Sequence, residues 1–179
     1  QDYFMDSKQK LKIELTKNLS NSQKCDLINK LRENFKSVEL RSSVSQQKAF
    51  MHDDYRISYF SDDKNNLFGF MLWWNFNHIR FIEYIYVSKE YRHYGIGSRL
   101  LKSCINDETP VIVEVETETD IQNFYIKNCF VKNQILYDPI PLQEGNEVIQ
   151  YLLYSYRNII TPNILEKFLS TIHLDEYQF

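Results

Sequence analysis

Between Tyr55 and Val87 the chain alternates at a period of two. Tyr55, Ile57 and Tyr59 stand against Arg56 and Ser58, and two polar stretches, Ser61 to Asn66 and Asn75 to His78, break the pattern. This predicts three strands, ending near residues 60, 74 and 87, joined as an antiparallel meander. Ahead of them, Lys10 to Leu15 alternates as a short strand. Ser20-Asn21-Ser22 can cap a helix, and Leu27, Ile28, Leu31 and Phe35 recur at helical spacing to about Val38. Residues 39–54 are polar and read mostly as loop.

After Val87 the period returns to that of a helix. A loop, Ser88 to Tyr94, leads into a helix from about Gly95 to Asn106 with Leu100, Leu101, Cys104 and Ile105 on one face. Val111 to Glu116 reads as a strand, Asp120 to Asn128 as a helix, and Phe130 to Tyr137 and Val148 to Ser155 as strands. Thr161-Pro162 supplies an N-cap and a first-turn proline for a last helix carrying Ile164, Leu165, Phe168, Leu169 and Ile172. The order β-α-β-β-β-α-β-α-β-β-α predicts an α/β (α+β) fold with a mixed, largely antiparallel sheet flanked by helices. The last helix could pack on the sheet, cover a groove or mediate a homodimer.

The length of 179 residues suits one domain, 1–179, with a helical extension over 160–179. Met5 could be the native start, with residues 1–4 an added remnant. A net charge of −3 excludes the basic footprint of a nucleic-acid binder and does not repel a cationic substrate. No apolar run approaches the roughly 18 residues of a membrane span. Cys25, Cys104 and Cys129 lack any CxxC spacing and read as reduced thiols of a cytoplasmic protein; the four histidines are too scattered to suggest a metal site. Small residues are scarce: Ala49 is the sole alanine and there are four glycines, so each glycine is expected to meet a backbone need. Gly69 lies inside a strand, where it marks a bulge or a close approach, and Gly145 reads as a turn.

The other two glycines lie in Arg92-His93-Tyr94-Gly95-Ile96-Gly97-Ser98, between a strand and a helix. There the backbone can turn its N–H groups toward one point, and the new helix adds unpaired N–H groups and its positive end, a setting for phosphate or pyrophosphate. The alternative is a glycine-containing helix start with no ligand. A Walker loop would end in GKS or GKT, and a dinucleotide fingerprint would follow the first strand of the fold.

This loop resembles the Arg/Gln-x-x-Gly-x-Gly/Ala loop of the GNAT superfamily of N-acetyltransferases. Val87 five positions before the arginine, Leu100-Leu101 after it and Phe124-Tyr125-Ile126-Lys127 match as well, and Ile82 through Ser98 is most similar to the spermidine/spermine and small-amine branch. The resemblance implies a GNAT-like acyl-CoA N-acyltransferase fold in which the strand ending at Val87 splays from Val111 to Glu116 and admits the pantetheine arm of acetyl-CoA. On the cofactor it places Ile85, Tyr86 and Val87 of the strand, Arg92, His93, Tyr94, Gly95, Ile96, Gly97 and Ser98 of the loop, and Asp120 and Lys127 of the next helix. Arg99 and Lys102 could reach its phosphates or remain solvated surface cations. The sequence departs from the family at Cys129, where a glycine is usual, so that Asn128 is expected to manage the helix end. It departs again at Glu118-Thr119-Asp120, in place of an Asp-Asn pair.

Direct attack on acetyl-CoA needs a free amine, and an alkyl amine of pKa about 10.4 carries a deficit of about 4.6 kcal/mol at pH 7. Glu83 is the first candidate for the base. By strand parity it shares a face with Phe81, Ile85 and Val87, it falls where the polyamine branch has its glutamate, and an apolar setting would raise its pKa; a surface carboxylate is the plain alternative. Glu114 is the second candidate. Tyr125 fits the family's general acid for the coenzyme A thiolate. These features predict transfer of acetyl from acetyl-CoA to a primary amine of a small molecule, with protein or peptide N-acetylation, or a non-catalytic acyl-CoA-binding module, as alternatives. Asp53-Asp54 and Asp62-Asp63 could attract a polyamine or simply solvate turns, and the segment from Tyr137 to Gly145 is expected to edge the acceptor site.

Overall fold

The structure, a computed structural model, describes residues 10–117, 119–137 and 150–172. Its strands are β1 (Lys12–Leu15), β2 (Tyr55–Ser61), β3 (Leu67–Asn75), β4 (Arg80–Val87), β5 (Val111–Glu116), β6 (Phe130–Tyr137) and β7 (Tyr151–Tyr156). They form one sheet in the order β1-β2-β3-β4-β5-β7-β6, antiparallel throughout except for the β4–β5 pair. The helices are α1 (Asn21–Asn34), α2 (Ser43–Phe50), α3 (Ile96–Ser103), α4 (Ile121–Lys127) and α5 (Pro162–Ile172). The strand at the centre of the meander, β3, is buried from Leu67 to Trp74, which explains its near-continuous apolar run.

Each face of the sheet has its own core. On the first, Leu27 and Leu31 of α1, Ala49 and Phe50 of α2 and Phe168 of α5 pack with Tyr55, Ile57, Leu72, Trp74, Phe81 and Ile112. The last helix therefore packs on the sheet, with Phe168 against Phe81 at 5.4 Å between ring centroids. On the second, Ile96, Leu100 and Leu101 of α3 and Tyr125 of α4 pack with Met71, Ile82, Val113 and Val115.

Two helices differ from expectation. The first stops at Asn34 instead of Val38: Ser20 caps its start, accepting from the Gln23 N–H at 3.1 Å, but Phe35 is already extended and a short 3₁₀ turn, Ser37–Glu39, follows. The stretch 39–54 is not mainly loop, because it contains α2. Ser42 caps that helix by accepting from Ser45 N–H at 3.1 Å. The buried side of α2 is Ser45, Gln46, Ala49 and Phe50, so its inward face is half polar and shows no apolar period.

The shorter features follow local chemistry. Gly69 has both properties expected of it: the β2–β3 register slips beside it, and a Cβ there would stand 3.0 Å from Ile96 Cγ2. Asp62 accepts from Lys64 N–H and Asn66 N–H, both at 2.9 Å, and Asp53 pairs with Lys17 at 2.6 Å, so these acidic pairs serve turns and a surface contact. Cys25, Cys104 and Cys129 are free thiols. Among the described residues no helix is long and apolar enough to cross a membrane, and no group of three or more His, Cys, Asp or Glu could hold a metal ion. Gly145 and Val148 lie outside the described residues, as does all but Tyr137 of the segment from Tyr137 to Gly145 expected to edge the acceptor site.

Candidate active site

The parallel strands β4 and β5 pair at Arg80 with Val111, Phe81 with Ile112 and Ile82 with Val113, and no further. Beyond that point they diverge, as the resemblance implied. The next residue of β4 is Glu83, which sits at a bulge: Leu72 faces Tyr84 while Trp73 faces Ile82, leaving Glu83 as the extra residue. The bulge corrects the strand parity. Phe81, Tyr84 and Tyr86 belong to the first core, whereas Ile82, Ile85 and Val87 belong to the second, so Glu83 does not share a face with Ile85 and Val87.

The side chain of Glu83 is 3% exposed and its setting is polar, unlike the apolar one expected. Oε1 accepts from Arg41 Nε at 3.3 Å and Tyr55 O–H at 3.0 Å, and Oε2 accepts from Arg41 Nη2 at 3.3 Å and Trp74 Nε1 at 2.6 Å. Burial, followed by the nearby Glu83 charge, holds the Tyr55 and Tyr84 hydroxyls well above their ordinary pKa. Glu114, the first β5 residue past the last pair, is half-buried. By alternation with Ile112 it lies on the first face, where Glu116 binds Lys36 at 3.0 Å. Glu39 joins them there: the Tyr84 hydroxyl donates to its carbonyl, and burial, with Glu116 nearby, raises its carboxyl pKa.

A cavity of about 530 Å³ opens where the strands part. Ten of the twelve residues expected on the cofactor line it: Ile85, Tyr86, Val87, Arg92, His93, Gly95, Ile96, Gly97, Ser98 and Lys127. Tyr94 and Asp120 do not line it, and Asp120 is exposed at the start of α4 without a side-chain capping bond. Asn34 and Phe35 from the end of α1, Tyr91, Ile121 and Phe124 complete the wall. Their signal in the sequence was partial: Phe124 belongs to the Phe-Tyr-x-Lys motif and Tyr91 to the loop, but nothing local announces that the end of α1 reaches the cleft.

The loop is shaped by two left-handed residues, His93 at φ 69° and Gly95 at φ 78°. Gly95 is the N-cap of α3, so the helix begins at Ile96, and it ends at Ser103. Arg92 Nε donates to the Val87 carbonyl at 2.9 Å, tying the loop back to the strand end. Gly97 is needed for a different reason: a Cβ there would stand 3.1 Å from the Phe124 ring, so its absence lets α3 and α4 close around the cavity. Arg99 lies over the Phe60 ring at 4.7 Å from its centroid, and Lys102 is exposed.

Tyr125 is 4% exposed, packed beside Phe124, Phe130 and Tyr154. Burial, and secondarily Cys104, push its hydroxyl well above the ordinary tyrosine value, so it keeps its proton at neutral pH. Its hydroxyl makes no hydrogen bond among the described residues. Burial likewise pushes the Cys104 thiol up to about 12, which makes it an inert packing group. At the end of α4, Cys129 itself adopts the left-handed conformation, φ 67°, that a glycine usually supplies; Asn128 instead donates from Nδ2 to the Phe124 carbonyl at 2.8 Å.

A seven-stranded mixed sheet that splits between its parallel strands, with a glycine loop feeding a helix at the split, is the GNAT acyl-CoA N-acyltransferase fold. Residues 54–132 match the model of the acetyltransferase (GNAT) domain. A Bacillus subtilis (strain 168) protein, YjbC, described as an acetyltransferase, is 25% identical over 157 residues, covering 74% of this chain and 80% of its own length. In three dimensions the chain is similar to a GNAT-family protein of Bacteroides thetaiotaomicron, with a TM-score of 0.75 and 21% identity over 95% of this chain and 99% of that one. It is also similar to the ribosomal-protein-S18-alanine N-acetyltransferase of Escherichia coli, with a TM-score of 0.60 and 13% identity over 82% and 93%. The chain thus has the GNAT acyl-CoA N-acyltransferase fold, and its central part, residues 54–132, is similar to the acetyltransferase (GNAT) domain.

Proposed function

We propose that the protein transfers acetyl from acetyl-CoA to a primary amine of a small molecule. The observation that carries the reading is the cavity at the β4–β5 split, walled on one side by the loop from Arg92 to Ser98 and on the other by α4. The fit to acetyl-CoA rests on the same residues. The first-turn N–H groups of α3 have no partners within the helix, and Gly95 has no heavy atom within 4 Å of where a Cβ would be, which leaves room for a pyrophosphate against the backbone. Ile85, Tyr86 and Val87 offer the strand edge for the pantetheine amides, and Lys127 adds a cation at the rim. Bound acetyl-CoA supplies the activated thioester.

The chain's own groups then handle protons. Tyr125, protonated at neutral pH and with its hydroxyl uncommitted among the described residues, donates to the departing thiolate. Glu114 takes the amine proton from the first face, at the lip of the split. Glu83, the other carboxylate at the split, is engaged by four donors. Glu39, Glu114 and Glu116 give that face a negative character suited to a cationic amine, which supports a small basic acceptor, as does the similarity of Ile82 through Ser98 to the small-amine branch. The free thiols fit a cytoplasmic site of action.

The test is release of free coenzyme A from acetyl-CoA against polyamines, amino acids, aminoglycosides and N-terminal peptides. Turnover with small amines is expected. Turnover confined to peptides contradicts the acceptor class, and acetyl-CoA binding without any turnover contradicts the catalytic reading.

A further inference from the structure

The Glu83 carboxylate has about four lone-pair directions, and four donors occupy them. With its side chain 3% exposed and all four directions taken, it has no open site for an amine proton. Its chief partner, Arg41, has a side chain with no exposed surface and comes from the segment just ahead of α2. The Arg41 guanidinium also donates from Nη1 to Ser45 Oγ at 3.4 Å and lies 5.8 Å from the centroid of the Trp74 ring. Beside this group Gln46 Nε2 is buried and has no hydrogen-bond partner within normal geometry among the described residues. A buried ion pair with an orphaned amide next to it is a poor way to stabilise a core, since well-packed apolar residues do as well or better. What distinguishes its location is the bulge, one residue past the last β4–β5 pair.

We propose that Arg41 and Glu83 are a positioning pair: the ion pair fastens the α2 segment to the β4 bulge and so sets the splay that admits acetyl-CoA, while the amine proton goes to another group. The inference rests on the acetyl-transfer reading above. The bulge puts both Glu83 and Tyr84 on the α2 side, and turning β4 that way leaves its continuation, Ile85 to Val87, to line the cavity rather than pair with β5. Arg41 supplies the charge and the two-pronged geometry that hold the bulge in place.

The test replaces the pair together, Arg41→Met with Glu83→Gln, so that no buried charge is left alone. A positioning pair predicts a rise of about three- to tenfold in the acetyl-CoA KM, a fall in kcat of less than about tenfold, and an acidic limb of the kcat–pH profile at the parent position. Unchanged acetyl-CoA affinity with kcat down by about 10²-fold or more and the acidic limb lost makes Glu83 the base and overturns the proposal. Parent-like KM and kcat overturn it too.

Should the double variant fail to fold, Tyr55→Phe decides. The substitution takes one donor from the Glu83 carboxylate and leaves the Arg41 pair intact, so a catalytic Glu83 changes kcat and the shape of its pH profile, whereas a positioning Glu83 leaves both at the parent values. A parent chain that binds no acetyl-CoA overturns the acetyl-transfer reading itself, and the pair's role with it.

Discussion

Ile82 and Val113 form the last rung between the two parallel strands, and the residue after each is a glutamate. Up to that rung the sheet is continuous and both faces are packed; beyond it the strands part and the cavity begins. The two carboxylates have opposite circumstances. Glu83 is turned by a bulge into a nest of donors, whereas Glu114 stays in register with Leu153 of β7 and keeps its face toward Glu116 and Tyr151.

The contact between Gly97 and Phe124 is the second determinant of the cavity, because it fixes how closely α3 and α4 approach. Gly97→Ala is expected to push the Phe124 ring outward, lowering stability by about 1–3 kcal/mol through overpacking and weakening acetyl-CoA binding. Combining it with Phe124→Leu should recover part of both losses. Chemical denaturation and calorimetry on the two single variants and the double measure the coupling, and purely additive effects would count against it.

Tyr125→Phe should separate chemistry from folding. Because the hydroxyl has no hydrogen bond among the described residues, its removal should leave stability within about 0.5 kcal/mol of the parent or above it. Turnover should fall by about 10²- to 10⁴-fold with acetyl-CoA affinity unchanged. Since the raised pKa keeps the hydroxyl protonated, the parent should also show no basic limb in kcat from this residue below pH 10. Unchanged turnover removes Tyr125 from the acid role.

Much of this architecture was legible in the sequence because it obeys simple periods. The β2–β4 meander shows a period of two, α3 and α5 carry clear apolar stripes, and Ser20 and Thr161 are recognisable caps. The loop was legible because Gly95 and Gly97 stand out in a chain with few small residues. Three features were hidden for physical reasons. The inward face of α2 is half polar, because Ser45 and Gln46 lie beside the Arg41–Glu83 pair while only Ala49 and Phe50 enter the apolar core, so no apolar period reveals it. The bulge at Glu83 depends on pairing with β3 and inverts the facing of every later residue in β4. Cys129 tolerates a left-handed conformation that composition assigns to glycine or asparagine.

Glu39 gives a prediction about pH. Burial raises its carboxyl pKa in the folded chain, with Glu116 adding to the rise, so folding favours the protonated form. That advantage is complete below the ordinary value of about 4.5 and is lost as pH rises through the folded value. Glu39→Gln should therefore raise the thermal midpoint at pH 7, and the gain should vanish by about pH 4. Melting curves of the parent and variant across this range check it; a gain that grows on acidification would contradict it.

The most direct measurement is calorimetric titration of acetyl-CoA into the parent chain and into Gly95→Val. Valine at φ 78° is strained, and the loop must change shape to relieve it. The expected result is one acetyl-CoA bound per parent chain and at least about tenfold weaker binding by the folded variant. No binding by the parent, or the same affinity in both, would contradict the placement of acetyl-CoA at the β4–β5 split.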